Sequence, residues 1–245
     1  MKGDTGNMLT LEDLQDGIYR RLANPYRCDR PIDLYKTPAC HGLVTQADTG
    51  HLLRVLEITK DESAIRVCIC KDDYLGWIAA AHIKDLTPVT EKYQAPVLSE
   101  TDIQARLPEV IAFAKAAMDV PNEYLWGGTT APHYDCSGLV QSAFLAAGIP
   151  LPRDSHQQED FTHRISASEL QPGDLIFFGT PERTTHVALY LEDGQYIHSS
   201  GKEKGRNGIG IDSITDLSHP VSAGYHELIR CFGRVVKSYL PNGQG

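Results

Sequence analysis

One segment limits the fold more than any other. Residues 136–147 read CSGLVQSAFLAA, with Asp135 as a good N-cap before them and Gly148 and Pro150 as a stop behind them. Cys136, Val140, Ala143, Phe144 and Ala147 recur at helical spacing and share one face. The spacing predicts a largely buried helix with Cys136 in its first turn, at the edge of the core stripe. Such a helix needs other layers to cover it.

The rest of the chain supplies them. A helix is expected after Ser99 or Thr101, with Pro108 in the first turn of its main part and a stripe at Val110, Ile111, Ala114 and Ala117 or Met118. It ends before Pro121. Downstream the pattern turns to strands at 174–178, 186–191, 196–198 and about 229–236. Helices followed by an antiparallel sheet make an α+β domain. Upstream, short strands at 32–35, 52–58, 64–70 and 74–78, with a turn at 71–73, suggest a small SH3-like barrel. The expected organisation is a small β domain over 1–88, a linker over 89–100 and an α+β domain over 101–245.

Charge excludes some functions. Lys and Arg number 23 against 32 Asp and Glu, a net charge of −9. That balance argues against binding nucleic acid or an anionic membrane surface. The N-terminal MKGDTGNMLTLEDLQDG has no apolar stretch like a signal-peptide core, and no apolar run approaches the roughly 18 residues of a membrane helix. The expectation is a cytoplasmic protein whose six cysteines stay reduced.

Among those cysteines Cys136 is distinctive. A thiolate is favoured at a helix N-terminus, and Gly127, Gly128 and Gly138 around it would let a substrate approach the backbone. Cys68 and Cys70 share a strand face and read as core. Cys28, Cys40 and Cys231 show no partner pattern. A thiolate nucleophile needs a base, and the base an orienting group. Of ten histidines, His186 and His198 lie in one expected hairpin. A two-residue Asp193–Gly194 type I′ loop would place their imidazoles on opposite faces. A three-residue loop, Glu192–Gly194 with Gly194 left-handed, would place them on one face as diagonal neighbours. The second arrangement is the one expected. The other eight histidines read as structural or solvated. With no Cys-x-x-Cys pair and no helical His-x-x-x-His, neither a metal nor another cofactor is expected.

Five segments together carry a resemblance: YLWGG at 124–128, DCSGLV at 135–140, LPRDS at 151–155, LQPGDLIFF at 170–178, and HVALY at 186–190 with Ile197–His198. In this order and spacing, over about residues 100–240, the chain resembles the NlpC-type bacterial cell-wall cysteine endopeptidases, a papain-like family. The stretch DDYLGWI at 72–78 resembles the bacterial SH3-like domain of the cyanobacterial-type members. The resemblance implies cleavage of the bond between γ-D-glutamate and a diamino acid, usually meso-diaminopimelate, in peptidoglycan stem peptides with a free N-terminal L-Ala. It implies Cys136 as nucleophile, His186 as base and His198 as the group orienting it. Tyr124 would complete an oxyanion hole with the backbone N–H of Cys136. Asp135 and Ser137 would hold the free amine, and Tyr74 would close that subsite. Trp126, Arg153 and Ser155 sit in matched motifs and count as substrate-binding. A role in cell-wall turnover or recycling follows. Related papain-like acyltransferases and amidases, a binding protein without catalysis, and a metalloprotein are the competing classes.

Overall fold

The computed structural model describes residues 9–20 and 24–242. Residues 1–8, part of the segment searched for a leader, lie outside the described residues. The chain divides into two compact units. One comprises the residues up to Gln94 together with Pro241 and Asn242, and the other Ala95–Leu240.

The first unit opens with helix α1 (Leu11–Tyr19), capped reciprocally by Thr10 and Asp13. Strands β1 (Tyr26–Cys28), β2 (Ile32–Tyr35), β3 (Leu43–Ala47), β4 (Leu52–Ile58), β5 (Ala64–Ile69), β6 (Tyr74–Ala79) and β7 (Leu86–Pro88) follow. They form one antiparallel sheet in the order β3-β2-β6-β5-β4-β1-β7, the SH3-like part of the α+β chain. Ile32, Leu34, Leu53, Ile65, Val67 and Ile78 build its core, and Leu14 of α1 joins them. The sequence reading omitted α1, β1, β3 and β7. Their apolar patterns are short, and tertiary packing completes them.

The second unit begins with helix α2 (Glu100–Asp119), where Ser99 and Asp102 form a capping box. This start corrects the position of Pro108, which lies inside the helix rather than in its first turn. The cap sets the start two turns upstream. The one backbone bond lost at Pro108 is offset by burial of Ile103, Leu107, Val110 and Ala114. A short ladder of β8 (Thr129–Thr130) and β9 (His133–Tyr134) leads into α3 (Cys136–Ala146). Then come α4 (Ser155–Phe161), β10 (His163–Ile165), β11 (Leu175–Gly179), β12 (Thr184–Tyr190), β13 (Gln195–Ser200), β14 (Gly208–Ser213), α5 (Pro220–His226) and β15 (Ile229–Arg234). The six strands form an antiparallel sheet in the order β10-β15-β11-β12-β13-β14.

Period-two alternation divides this sheet between two cores. Leu175, Phe177, Val187, Leu189 and Ile197 pack beneath α2 and α3. Ile176, Phe178, Ala188 and Tyr196 pack with Val221 and Tyr225 of α5 on the other face. Among the described residues no helix is long and apolar enough to cross a membrane.

Candidate active site

His186 and His198 meet on one face because of an irregularity in one hairpin. Leu189 pairs with Ile197 and Tyr190 with Tyr196, the register that puts His186 and His198 on one face. The loop that sets this register differs from expectation. Asp193 and Gly194 both have positive φ, +50° and +76°, and Gln195 N–H donates to Glu192 O at 2.8 Å. That is the signature of a two-residue type I′ turn, not of a three-residue loop with one left-handed residue. Leu191 N–H also donates to Gln195 O at 2.9 Å, so Leu191 and Glu192 both face Gln195. The bulge shifts the ladder by one residue and restores the productive register.

Beyond Leu189 and Ile197 the β12–β13 ladder opens, while β12 stays paired to β11 and β13 to β14. Tyr190 N–H points to Asp174 O on the β11 side, so by alternation Val187 N–H points toward β13. The Cys136 thiol takes that freed N–H, together with the N–H of Ser137 at the start of α3. The thiol, packed with the core under one face of the sheet, thereby lies against the backbone of Val187, the neighbour of His186 on β12.

The imidazoles form a chain. His186 Nε2 lies 2.7 Å from His198 Nδ1, and His198 Nε2 lies 2.8 Å from Asp212 Oδ2. Asp212 also accepts from Arg206 Nε at 2.7 Å and from Ser222 Oγ at 3.2 Å. The His186 ring stacks on Tyr225 at 4.5 Å between centroids, and the Tyr225 hydroxyl pairs with Ser200 Oγ at 2.7 Å. Asp212, Arg206 and Tyr225 are absent from the sequence reading. The signal for Asp212 is its register: it pairs with Tyr196, one diagonal step from His198.

Burial decides the charge states. It pushes the Cys136 thiol up to about 12, and the Asp135 carboxylate adds to the shift. The Val187 and Ser137 N–H groups and Arg153 oppose it without prevailing. The resting thiol is therefore protonated, and the helix start alone does not make the thiolate. Burial also holds His186 well below its ordinary range, helped by His198 and Lys204 and opposed by Asp212. His198 is lowered by burial against the pull of Asp212. Burial raises the Asp212 carboxyl, but hydrogen bonds from His198 and Arg206 overcome that and hold it ionised. Burial first, then Cys136 and Asp135, raise the Tyr124 phenol, which stays neutral and able to donate.

Asp135 is more heavily engaged than expected. Its Oδ1 accepts from Gly138 N–H at 2.7 Å and Arg153 Nη1 at 3.1 Å, and its Oδ2 from Gly127 N–H at 2.8 Å and Arg153 Nη2 at 2.7 Å. Arg153, only 1% exposed, also donates to Ser137 Oγ at 2.9 Å. Arg153 offsets part of the Asp135 charge beside the thiol. The glycines are corrected too. A Cβ at Gly138 would lie 2.0 Å from Gly128 O, and one at Gly128 2.5 Å from His133 O. The space they leave is filled by the chain's own backbone, not kept open for a substrate.

The remaining expected residues are spread around this centre. Ser155 is buried at the first turn of α4, whose Gln158 donates to Ser137 O at 3.1 Å. Trp126 is 71% exposed in the loop before β8. Tyr74 opens β6 in the first unit. Among the described residues no group of three or more His, Cys, Asp or Glu is arranged to hold a metal ion.

Comparison with known proteins agrees with this architecture. Residues 121–223 match the NlpC/P60 family, and residues 34–83 match the bacterial dipeptidyl-peptidase Sh3 domain. The chain is 37% identical over 122 residues to the probable endopeptidase p60 of Listeria innocua, covering 50% of this chain and 24% of that protein. It is 43% identical over 116 residues to the bifunctional muramidase/DL-endopeptidase CwlT of Bacillus subtilis, covering 46% and 32%. It is 36% identical over 99 residues to the gamma-D-glutamyl-L-lysine dipeptidyl-peptidase of Bacillus cereus, covering 39% and 29%. The chain spans only about a quarter to a third of the length of these relatives.

Proposed function

We propose, for a chain that carries an NlpC/P60 peptidase domain and a bacterial Sh3 domain, that it hydrolyses the γ-D-glutamyl–diamino acid bond of peptidoglycan stem peptides with Cys136 as nucleophile. The 2.7 Å contact between His186 Nε2 and His198 Nδ1 carries this reading. It occupies one nitrogen of His186 and leaves Nδ1 to take the thiol proton. The relatives named for DL-endopeptidase and γ-D-glutamyl-L-lysine activity support the choice of bond.

In this mechanism His186 Nδ1 removes the proton from Cys136 as the sulfur attacks the γ-amide carbonyl. The negative oxygen that forms is stabilised by the Cys136 N–H and the Tyr124 hydroxyl, each such donor worth about 3 kcal/mol. The imidazolium returns its proton to the departing amine, leaving a thioester. Water, deprotonated by His186, then releases the acid and frees the thiol. Asp135 and Ser137 form the rim for the N-terminal amine, and a short soluble stem peptide fits a role in turnover or recycling.

The test is L-Ala-γ-D-Glu-meso-diaminopimelate incubated with wild type and Cys136→Ala, products identified by mass. Wild type is expected to release diaminopimelate and the variant none; cleavage by the variant at the wild-type rate refutes the reading. N-acetylation of the peptide is expected to raise KM with little change in kcat, because Arg153 already offsets part of the Asp135 charge beside the thiol. A fall confined to kcat would instead assign the ammonium a part in activating the thiol.

A further inference from the structure

We propose that Asp212 is a positioning residue of this site, whose acceptor-only carboxylate fixes the direction in which hydrogens point along His198 and His186. The inference rests on the reading of His186 as the base for Cys136, and it adds what selects the nitrogen that acts.

An ionised carboxylate has no hydrogen to give, so the 2.8 Å contact at Oδ2 requires Nε2–H on His198. His198 is fully buried, and a neutral ring then has a bare Nδ1. That lone pair can only accept, so the 2.7 Å contact requires Nε2–H on His186. The bare nitrogen of His186 is then Nδ1. With Asp212 absent, either ring could donate to the other, and the opposite choice would put the hydrogen on His186 Nδ1, where it cannot accept the thiol proton.

The surroundings hold Asp212 in this part. Arg206 donates from Nε to the same Oδ2 at 2.7 Å and from Nη2 to Ile211 O at 2.8 Å, so its side chain is tied at two points. Gly210, opposite His198 in the ladder, leaves that arginine its room: a Cβ there would lie 2.4 Å from Arg206 Nη1. Ser222 Oγ of α5 donates to Oδ1 at 3.2 Å. Asp212 also faces His219 Nδ1 at 3.6 Å, and the charged or titratable neighbours of the histidine pair besides Asp212 are Arg206, Lys204, Tyr196 and Tyr225, with Cys136 close to Tyr225 in turn. Asp212 receives no proton in this arrangement; each ring keeps one hydrogen at rest.

Long-range ¹H–¹⁵N correlation spectra of the wild-type protein read the two tautomers directly. Both rings are expected as Nε2–H, and an Nδ1–H form of His198 overturns the proposal without any variant. Asp212→Ala is expected to mix the tautomers and lower kcat by about 10- to 100-fold, the usual effect of losing a histidine's outer partner, with KM little changed. The acidic limb of kcat/KM is expected to move to lower pH, since the lost negative charge had favoured imidazolium. Asp212→Glu is expected to recover part of the rate. Unchanged tautomers and an unmoved acidic limb in a folded Asp212→Ala protein reduce Asp212 to a structural residue and overturn the proposal. The tautomers are readable in inactive protein, so failure of the Cys136 reading is seen separately, as activity retained by Cys136→Ala.

Discussion

At Gly138 the helix carrying Cys136 starts against the chain's own backbone, with no room for a side chain on that turn. Gly138→Ala is expected to push α3 away from Gly128 and cost about 1–3 kcal/mol, the range for overpacking a closed site. A melting curve should show a lower Tm, and kcat/KM should fall with it because the thiol moves off the Val187 N–H. Retention of both would show that the loop before β8 yields freely. Individual residues differed in how far the sequence exposed them. Cys136, His186 and His198 stand in dense local patterns, each readable within a few residues. Arg153 could be placed in a motif but not given its partner, since Asp135 lies 18 residues away and the pairing depends on how α3 and α4 pack. Asp212 is one of 32 acidic residues in a strand with no turn signal pointing to it, and only the β13–β14 register ties it to His198.

At the level of elements, the bulge at Leu191–Glu192 is the feature on which the site depends. Inserting one alanine between Tyr190 and Leu191 keeps the turn and the bulge but puts Tyr190 opposite Ile197, which shifts β12 against β13 by one residue and sends the two imidazoles to opposite faces. Hydrolysis of the tripeptide is expected to be lost in that variant. An insertion variant with full activity would mean that the β13–β14 pairing alone fixes the register. The alignment of these strands was legible because only one register joins the histidines. The turn itself was not, because an Asp-Gly pair serves both loop lengths, and the choice is made by pairing on the far side of β13. Helix α2 teaches the same point: Ser99 is legible as the cap, whereas Pro108 reads as a first-turn residue of the main part and is instead carried inside the helix by the buried stripe along it.

For the molecule as a whole, neutral burial of titratable groups sets a window of stability. His51 is held at about 4 by burial, and His186 and His198 are lowered in the same way. The unfolded chain therefore binds these protons first, and stability is expected to fall as pH drops below about 6.5. Cys28 and Cys231 are raised to about 12 and Cys70 to about 11, again by burial. The unfolded thiols lose their protons first, so stability is expected to fall again above about pH 9. Calorimetric melting across pH 4–10 checks both limbs, and a Tm that rises on acidification contradicts the first. The hairpin loop adds a limit of another kind, on how long a molecule keeps its activity. Asp193 followed by Gly194 is a sequence in which the next backbone nitrogen can attack the side-chain carboxyl and reopen as isoaspartate, adding one atom to the main chain. The type I′ turn and the Gly194 N–H bond to the Tyr190 hydroxyl restrain that attack. Where it does occur, it lengthens the chain beside the bulge that aligns the histidines, so the age of the loop becomes the age of the catalyst.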